Sequence, residues 1–287
     1  MSTATAGGAG PTVEVGRPLS RALAYPIALL IAALVIVPVL YVVLGGFRTT
    51  GQIAAKPVDL PHPWRWSNYT EILTSLTFWR ELGNSLVVAA LATALVVAAG
   101  ALAAFPLSRS SFRGREGLYT LFTIGLMFPV GVAALPLYLL LRKVGLLDSL
   151  IGVALPEAAF GLPLTIVILR PFMRAVPAEL EDAAAIDGCS RFGFFWRVVV
   201  PLSRPALATV AIIAFITSWN YYLLPLLILN NDQAWTLPLG VAQYASEYTQ
   251  DTARILAFTA LSMVPALAFF VVAERRIVGG LAGAVKG

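Results

Sequence analysis

Polar residues are sparse and clustered along this chain. Between the clusters, hydrophobic positions run on without the alternation of a strand or the one-sided stripe of a surface helix. Six runs reach or exceed the roughly 20 apolar residues with which a helix crosses a bilayer. They are residues 25–46, 84–106, 118–141, 150–170, 205–229 and 255–273. The pattern predicts an all-α polytopic membrane bundle of six transmembrane helices, spanning residues 21–278. Prolines lie inside several runs, at Pro129, Pro136, Pro156, Pro163, Pro225 and Pro265. A bundle tolerates them where neighbouring helices re-satisfy the freed carbonyls, which suits a lined pathway better than a passive anchor. The first run is too long for a signal-peptide core and is read as a retained signal-anchor. Residues 1–20, rich in Gly, Ala and Thr, are expected to be a disordered tail.

Composition sharpens this reading. Of 287 residues, 59% are hydrophobic and 12% charged, against about 45–50% and 25% in soluble domains. A water-soluble globule is excluded. One Cys forbids an intramolecular disulfide, and one His beside it leaves no zinc or haem ligand set and no metal site. The net charge of +5 is read as basic residues gathered on one side of a bilayer, not as a nucleic-acid surface. With the N-terminus inside, 13 of the 20 Lys and Arg fall on the cytoplasmic side. Both termini are therefore expected in the cytoplasm. The outer loop 47–83, with its LPHPWRWSNYTEIL, is expected to cap the outer face.

The most polar stretch between runs, residues 174–203, reads as two short helices around a glycine. Pro177 suits a first helical turn, and Glu179, Glu181 and Asp182 favour the positive end of the helix dipole. Leu180, Ala183, Ala184 and Asp187 recur at helical spacing, and Gly188 is the natural stop. Ser190 can cap a second helix on which Phe192, Phe195, Trp196 and Val199 follow i, i+3, i+4, i+7. Two readings stand side by side: an ordinary amphipathic helix with no partner, or a lever whose small-residue face invites a groove on a cytosolic protein.

LEDAAAIDGCSRFGFFWRVVVPL resembles the EAA loop of ABC importer permeases, in which E-A-A is followed after three residues by G and then by a hydrophobic segment ending in I-x-L-P. Asp182, Ala183, Ala184 and Gly188 match the first part, and Val198, Val200 and Pro201 the second. Asp stands for the usual Glu, with Glu181 just before it, and Val stands at both the I and the L positions. WSNYTEIL, GNSLVVAALATALVVAAGALAAFPLSRSSFRG, SWNYYLLPL and the ending RRIVGGLAGAVKG are similar to the carbohydrate-uptake (maltose-type) branch. The resemblance implies an inner-membrane permease working with a second homologous permease, a dimer of cytosolic ABC ATPases, an extracytoplasmic solute-binding protein and a sugar substrate. It implies that Glu181, Asp182, Ala183, Ala184, Asp187, Gly188, Arg191, Phe192, Phe195 and Pro201 couple to the ATPase. It also implies that the tail 279–287, ending Gly283, Ala284, Val285, Lys286, Gly287, docks there. The chain itself would have no catalytic residues and no cofactor, ATP and Mg being bound by the partners. It contains no G-x-x-x-x-G-K-[ST] loop.

Polar groups within spans are functional candidates by default. Glu157 is one. In the fifth run Thr217, Ser218, Trp219, Asn220, Tyr221 and Tyr222 form a polar-aromatic cluster. Aromatic faces suit the C–H surfaces of sugars while amides and hydroxyls bond their hydroxyls. Glu157, Ser218, Asn220, Tyr221 and Tyr222 are the candidates for the substrate path, with Asn220 expected to face the lumen, and helix–helix hydrogen bonding is the other use of Ser218 and Asn220. A permease for a different solute class, such as glycerol-phosphate or amino acids, stays open. An intramembrane serine enzyme would need a His base within the bilayer, and the single His, His62, lies in the outer loop.

Overall fold

The computed structural model describes residues 18–245 and 250–284, with side chains placed for 24–245 and 250–271. The tail through Arg17 and the final Val285, Lys286 and Gly287 lie outside the described residues. Among the described residues the fold is all-α, the only extended pairing being an isolated bridge between Ala245 and Gln250. Among the described residues four helices are long and apolar enough to cross a membrane, and up to six spans result when each of two bent helix pairs is counted as one.

Helix α1 (Pro18–Gly45) leads into a cap of two short helices, α2 (Thr50–Ala55) and α3 (Ser67–Thr74). The long α4 (Leu76–Arg109) starts a full two turns before the apolar run does, because Ser75 caps it by accepting from the Thr77 N–H. The third run is two helices, α5 (Arg115–Gly125) and α6 (Val130–Lys143), meeting at 99°. Pro129 sits at the break, where it ends one helix and precedes the next. Helix α7 (Leu150–Arg174) is unbroken despite Pro156, Pro163 and Pro171.

The polar stretch holds α8 (Ala178–Ile186) and then α9 (Arg191–Phe194), which passes through a π turn at Phe195–Val199 into α10 (Val200–Leu202). The fifth run is interrupted. Helix α11 (Arg204–Trp219) ends at Asn220, and α12 (Leu223–Ile228) resumes after it. After α13 (Leu237–Gly240), helix α14 (Thr252–Ala284) carries the sixth run and continues through Gly283 and Ala284.

Helix α4 is the spine, packed first on α7 and then on α11, with α14 closing on α11 and α1. The contact with α7 is made close by small residues. Ala92, Ala101 and Ala104 are buried in it, and a Cβ on Gly100 would come within 2.2 Å of Thr165 Cγ2. At the Arg109 end of α4, Leu169 and Met173 of α7 meet Phe194, Phe195 and Val199 in one core cluster. That cluster roots the polar loop in the bundle.

At the Ser75 end, the cap is held by short-range bonds. Arg48, 3% exposed, donates to the carbonyls of Pro57 (2.9 Å), Gln52 (2.7 Å) and Lys56, closing the C-terminal end of α2. Asn68 donates to Gly46 O and Arg48 O at 2.9 and 2.8 Å. Tyr69 donates to Val43 O at 2.6 Å, and burial pushes its phenol up to about 12. Phe47 packs against Trp64, Trp66 and Tyr69, with centroids 5.2, 4.8 and 4.3 Å away.

Candidate functional site

Two places gather the chemistry. The first is a cavity of about 270 Å³ between α4, the α5–α6 bend, α7 and α11. Its walls are apolar, with Ala92, Val96 and Phe160 among them, and Glu157, Thr165, Thr217, Ser218 and Tyr221 supply the polar groups. Glu157 is 8% exposed. Ser218 of α11 donates to its Oε2, while its Oε1 is buried with no partner among the described residues. A buried acceptor without a donor is costly, so this atom is a ready partner for an O–H or N–H brought by a solute. Residues 61 apart in sequence thus share one wall.

The cluster in the fifth run is divided among different neighbours. Ser218 turns toward α7 and Tyr221 into the cavity. Trp219, 4% exposed, donates to Ser262 O of α14 at 3.3 Å and stacks on Phe215. Asn220 lies in a separate groove with Leu237, Pro238, Thr259 and Ser262, and its amide donates to Ile216 O at 2.8 Å. It caps the end of its own helix, which satisfies the amide where the run breaks. Tyr222 is exposed. The uniform 100° step between helix residues ends at Trp219, so spacing alone does not give the directions of residues 220–222.

The second place is the loop at the Arg109 end of α4. In α8, Asp182, Ala183 and Ala185 are exposed, Glu181 and Ala184 are half-buried, and Ile186 is 86% exposed. Asp187 is the C-terminal residue of the turn, and Gly188 follows at φ 73°, a left-handed conformation that glycine adopts without a Cβ clash. Ser190 then accepts from the Gly193 N–H at 3.1 Å. Arg191, Phe192 and Trp196 point outward, Phe192 at 65% exposed, while Pro201 is half-buried. Phe195 is turned inward, 2% exposed and 5.0 Å from the Phe105 ring. Phe195 and Val199, four apart, are buried, and Phe192 and Trp196, four apart, are not; they are the two edges of a stripe about 100° wide. The single aromatic stripe expected from spacing is therefore buried along one edge and open along the other.

Sequence reasoning passed over two arginines that organise this end of the bundle. Arg170, 7% exposed, donates to Leu107 O at 3.0 Å, pairs with Glu116 at 2.5 Å and lies 3.9 Å from the Tyr119 ring centroid. Arg109 reaches α8. Their partners lie tens of residues away in sequence, so no local motif announces them. Thr165 of the cavity was missed in the same way.

Residues 96–277 match the family described as the binding-protein-dependent transport system inner membrane component. Among curated proteins, the chain is 37% identical over 262 residues to the diacetylchitobiose uptake system permease protein NgcG of Streptomyces coelicolor, covering 91% of this chain and 87% of that one. It is 34% identical to the trehalose transport system permease protein SugB of Mycobacterium tuberculosis, covering 90% and 95%. A solved bacterial ABC transporter involved in import of the acidic polysaccharide alginate aligns with a TM-score of 0.76 at 22% identity, over 92% of this chain and 99% of that one. That likeness speaks to the fold.

Proposed function

The chain belongs to the inner-membrane components of binding-protein-dependent transport systems, a permease of an ABC importer and not an enzyme, and from that premise we propose that its cargo is a sugar or oligosaccharide. The observation that carries this reading is the cavity, where Glu157, Ser218, Thr217 and Tyr221 stand on an apolar and aromatic wall. Such a wall fits a solute with C–H faces and a rim of hydroxyls. The relatives named for diacetylchitobiose and trehalose uptake support the same class.

A second permease completes the path, and an extracytoplasmic binding protein delivers the solute. A dimer of cytosolic ATPases, which holds the ATP and Mg, docks on the α8 loop. The exposed Asp182, Ala183, Ile186, Arg191 and Phe192 offer that docking surface, and Gly188 sets the angle between its two helices. Both termini and this loop face the cytoplasm, and the α2–α3 cap faces outward.

Uptake by the assembled transporter in proteoliposomes, with its binding protein and a panel of sugars, polyol phosphates and amino acids, tests the cargo. Transport of sugars is expected, and transport of amino acids alone would overturn the reading. Orientation has its own test in Cys189, the only thiol. A membrane-impermeant maleimide should label it only after the membrane is permeabilised, and labelling of intact spheroplasts would invert the topology.

A further inference from the structure

The last residue of α4 reaches the proposed docking helix. The Arg109 side chain is 8% exposed although it lies at a helix end. One terminal nitrogen donates to Val176 O at 2.6 Å and the other to Pro177 O at 3.2 Å. These are the two carbonyls immediately before α8. Its Nε lies 3.2 Å from Glu181 Oε2, within α8 itself. The guanidinium also lies 5.8 Å from the Phe194 ring centroid, on the helix that follows α8. The planar fork holds both carbonyls by its terminal nitrogens, while the carboxylate is held as an ion pair, Nε making no hydrogen bond among the described residues.

The other end of the connection is equally firm. Arg170 of α7 donates to Leu107 O, two residues before Arg109, while paired with Glu116 of α5. The last turn of α4 is thereby fixed to α5 and α7 on one side and to α8 on the other. Further along, α4 supplies Ala92 and Val96 to the cavity wall.

We propose that Arg109 is the positioning residue that joins α8 to the cavity-lining helix, so that a displacement of α8 is passed to α4 through the guanidinium, its hydrogen bonds to Val176 and Pro177 and its ion pair with Glu181. Arg109 contacts neither solute nor nucleotide. It acts through α8, and the inference rests on the reading of α8 as the ATPase-docking helix.

The test uses the assembled transporter with its binding protein in proteoliposomes, comparing solute uptake and the stimulation of ATP hydrolysis by solute-loaded binding protein. Arg109→Lys keeps the charge and loses the fork. It is expected to lower uptake and stimulation about tenfold, the weight of one hydrogen bond to a charged group, with the ATPase still co-purifying. Arg109→Ala should lower both further. Glu181→Gln should lose less, and the double variant Arg109→Lys/Glu181→Gln should be no worse than Arg109→Lys alone. Full uptake and stimulation in Arg109→Lys would overturn the proposal. So would losses that multiply in the double variant, since Glu181 would then serve the partner independently. Should Arg109→Ala not accumulate in the membrane, Arg109→Lys and the pair with Glu181 decide the matter. Absence of sugar uptake by the unaltered transporter would instead overturn the cargo reading, which keeps the two failures apart.

Discussion

The α2–α3 cap and the α8–α9 loop sit at opposite ends of α4 and are built of the same materials: short helices, an arginine reaching backbone carbonyls, and a cluster of aromatic rings. They differ in what holds them, since both expose apolar side chains: Val58, Leu60, Trp64 and Trp66 in the cap, and Ile186, Phe192 and Trp196 in the loop. In the cap, Phe47 packs on Tyr69 and two tryptophans, while Arg48 and Asn68 are buried against carbonyls of the same segment. In the loop, Phe194 and Phe195 anchor the core, and the arginine comes from outside, Arg109 of α4 donating to the carbonyls of Val176 and Pro177. The cap is tied to itself and the loop is tied to the bundle, which is what separates a lid from a part that can pass a push inward.

That contrast can be broken by substitution. The largest effect is expected at Gly188. Nothing lies within 4 Å of a Cβ there, so the obstacle to a side chain is φ alone. Gly188→Val should abolish uptake while the protein still inserts, because a β-branched residue tolerates the left-handed region badly. Gly188→Asn, which tolerates it, should keep most of the activity. Equal loss in both would assign the position to partner contact instead of backbone shape. Asp182→Lys should also remove uptake without lowering the melting temperature, since its side chain is exposed; a lowered melting temperature would place it in the fold and not on the docking face.

Substitutions in the cap should do the reverse. Arg48→Ala strands three carbonyls in a buried site and should cost about 3 kcal/mol, from one to three kcal/mol per stranded group partly offset by water. Thermal unfolding in detergent should register it while the uptake of the surviving protein stays near normal. Tyr69→Phe loses one bond to Val43 O and should cost about 1 kcal/mol. Its contribution has a pH signature. The folded pKa of about 12 lies above the ordinary 10, so the stabilisation is complete below pH 10 and fades as pH rises toward 12. A difference between wild type and Tyr69→Phe that persisted unchanged to pH 12 would remove the phenol's titration from the account.

The bundle was legible because a membrane span needs only an uninterrupted apolar run, and the runs are long. Its interruptions were not. The break at residues 126–129 carries Pro129 as a marker, but the break at Asn220–Tyr222 has no glycine or proline within it and is formed by an asparagine capping its own helix. The stop at Gly188 and the cap at Ser190 could be read from residue type, since each depends on its own backbone. The inward turn of Phe195 could not, because the expected stripe covers about 100° of the helix surface and packing on Phe105 decides which edge is buried. Pairs such as Glu157 with Ser218, or Arg109 with Glu181, join segments that only the fold brings together.

The bend between α5 and α6 bears on how the cavity treats a guest. Although α5 stops there, the carbonyls of Thr123, Ile124 and Gly125 accept from the amides of Leu126, Met127 and Phe128, and Pro129 O accepts from Val132, so the corner meets these backbone needs itself. Gly125, Leu126, Phe128 and Val130, which make this corner, border the cavity. The corner therefore offers a guest an apolar edge and not a row of open carbonyls. The unmet acceptor lies across the chamber, at Glu157 Oε1 on α7. A polyol of the proposed cargo class would be gripped from one side and slide along the other, so its orientation is set by a single wall.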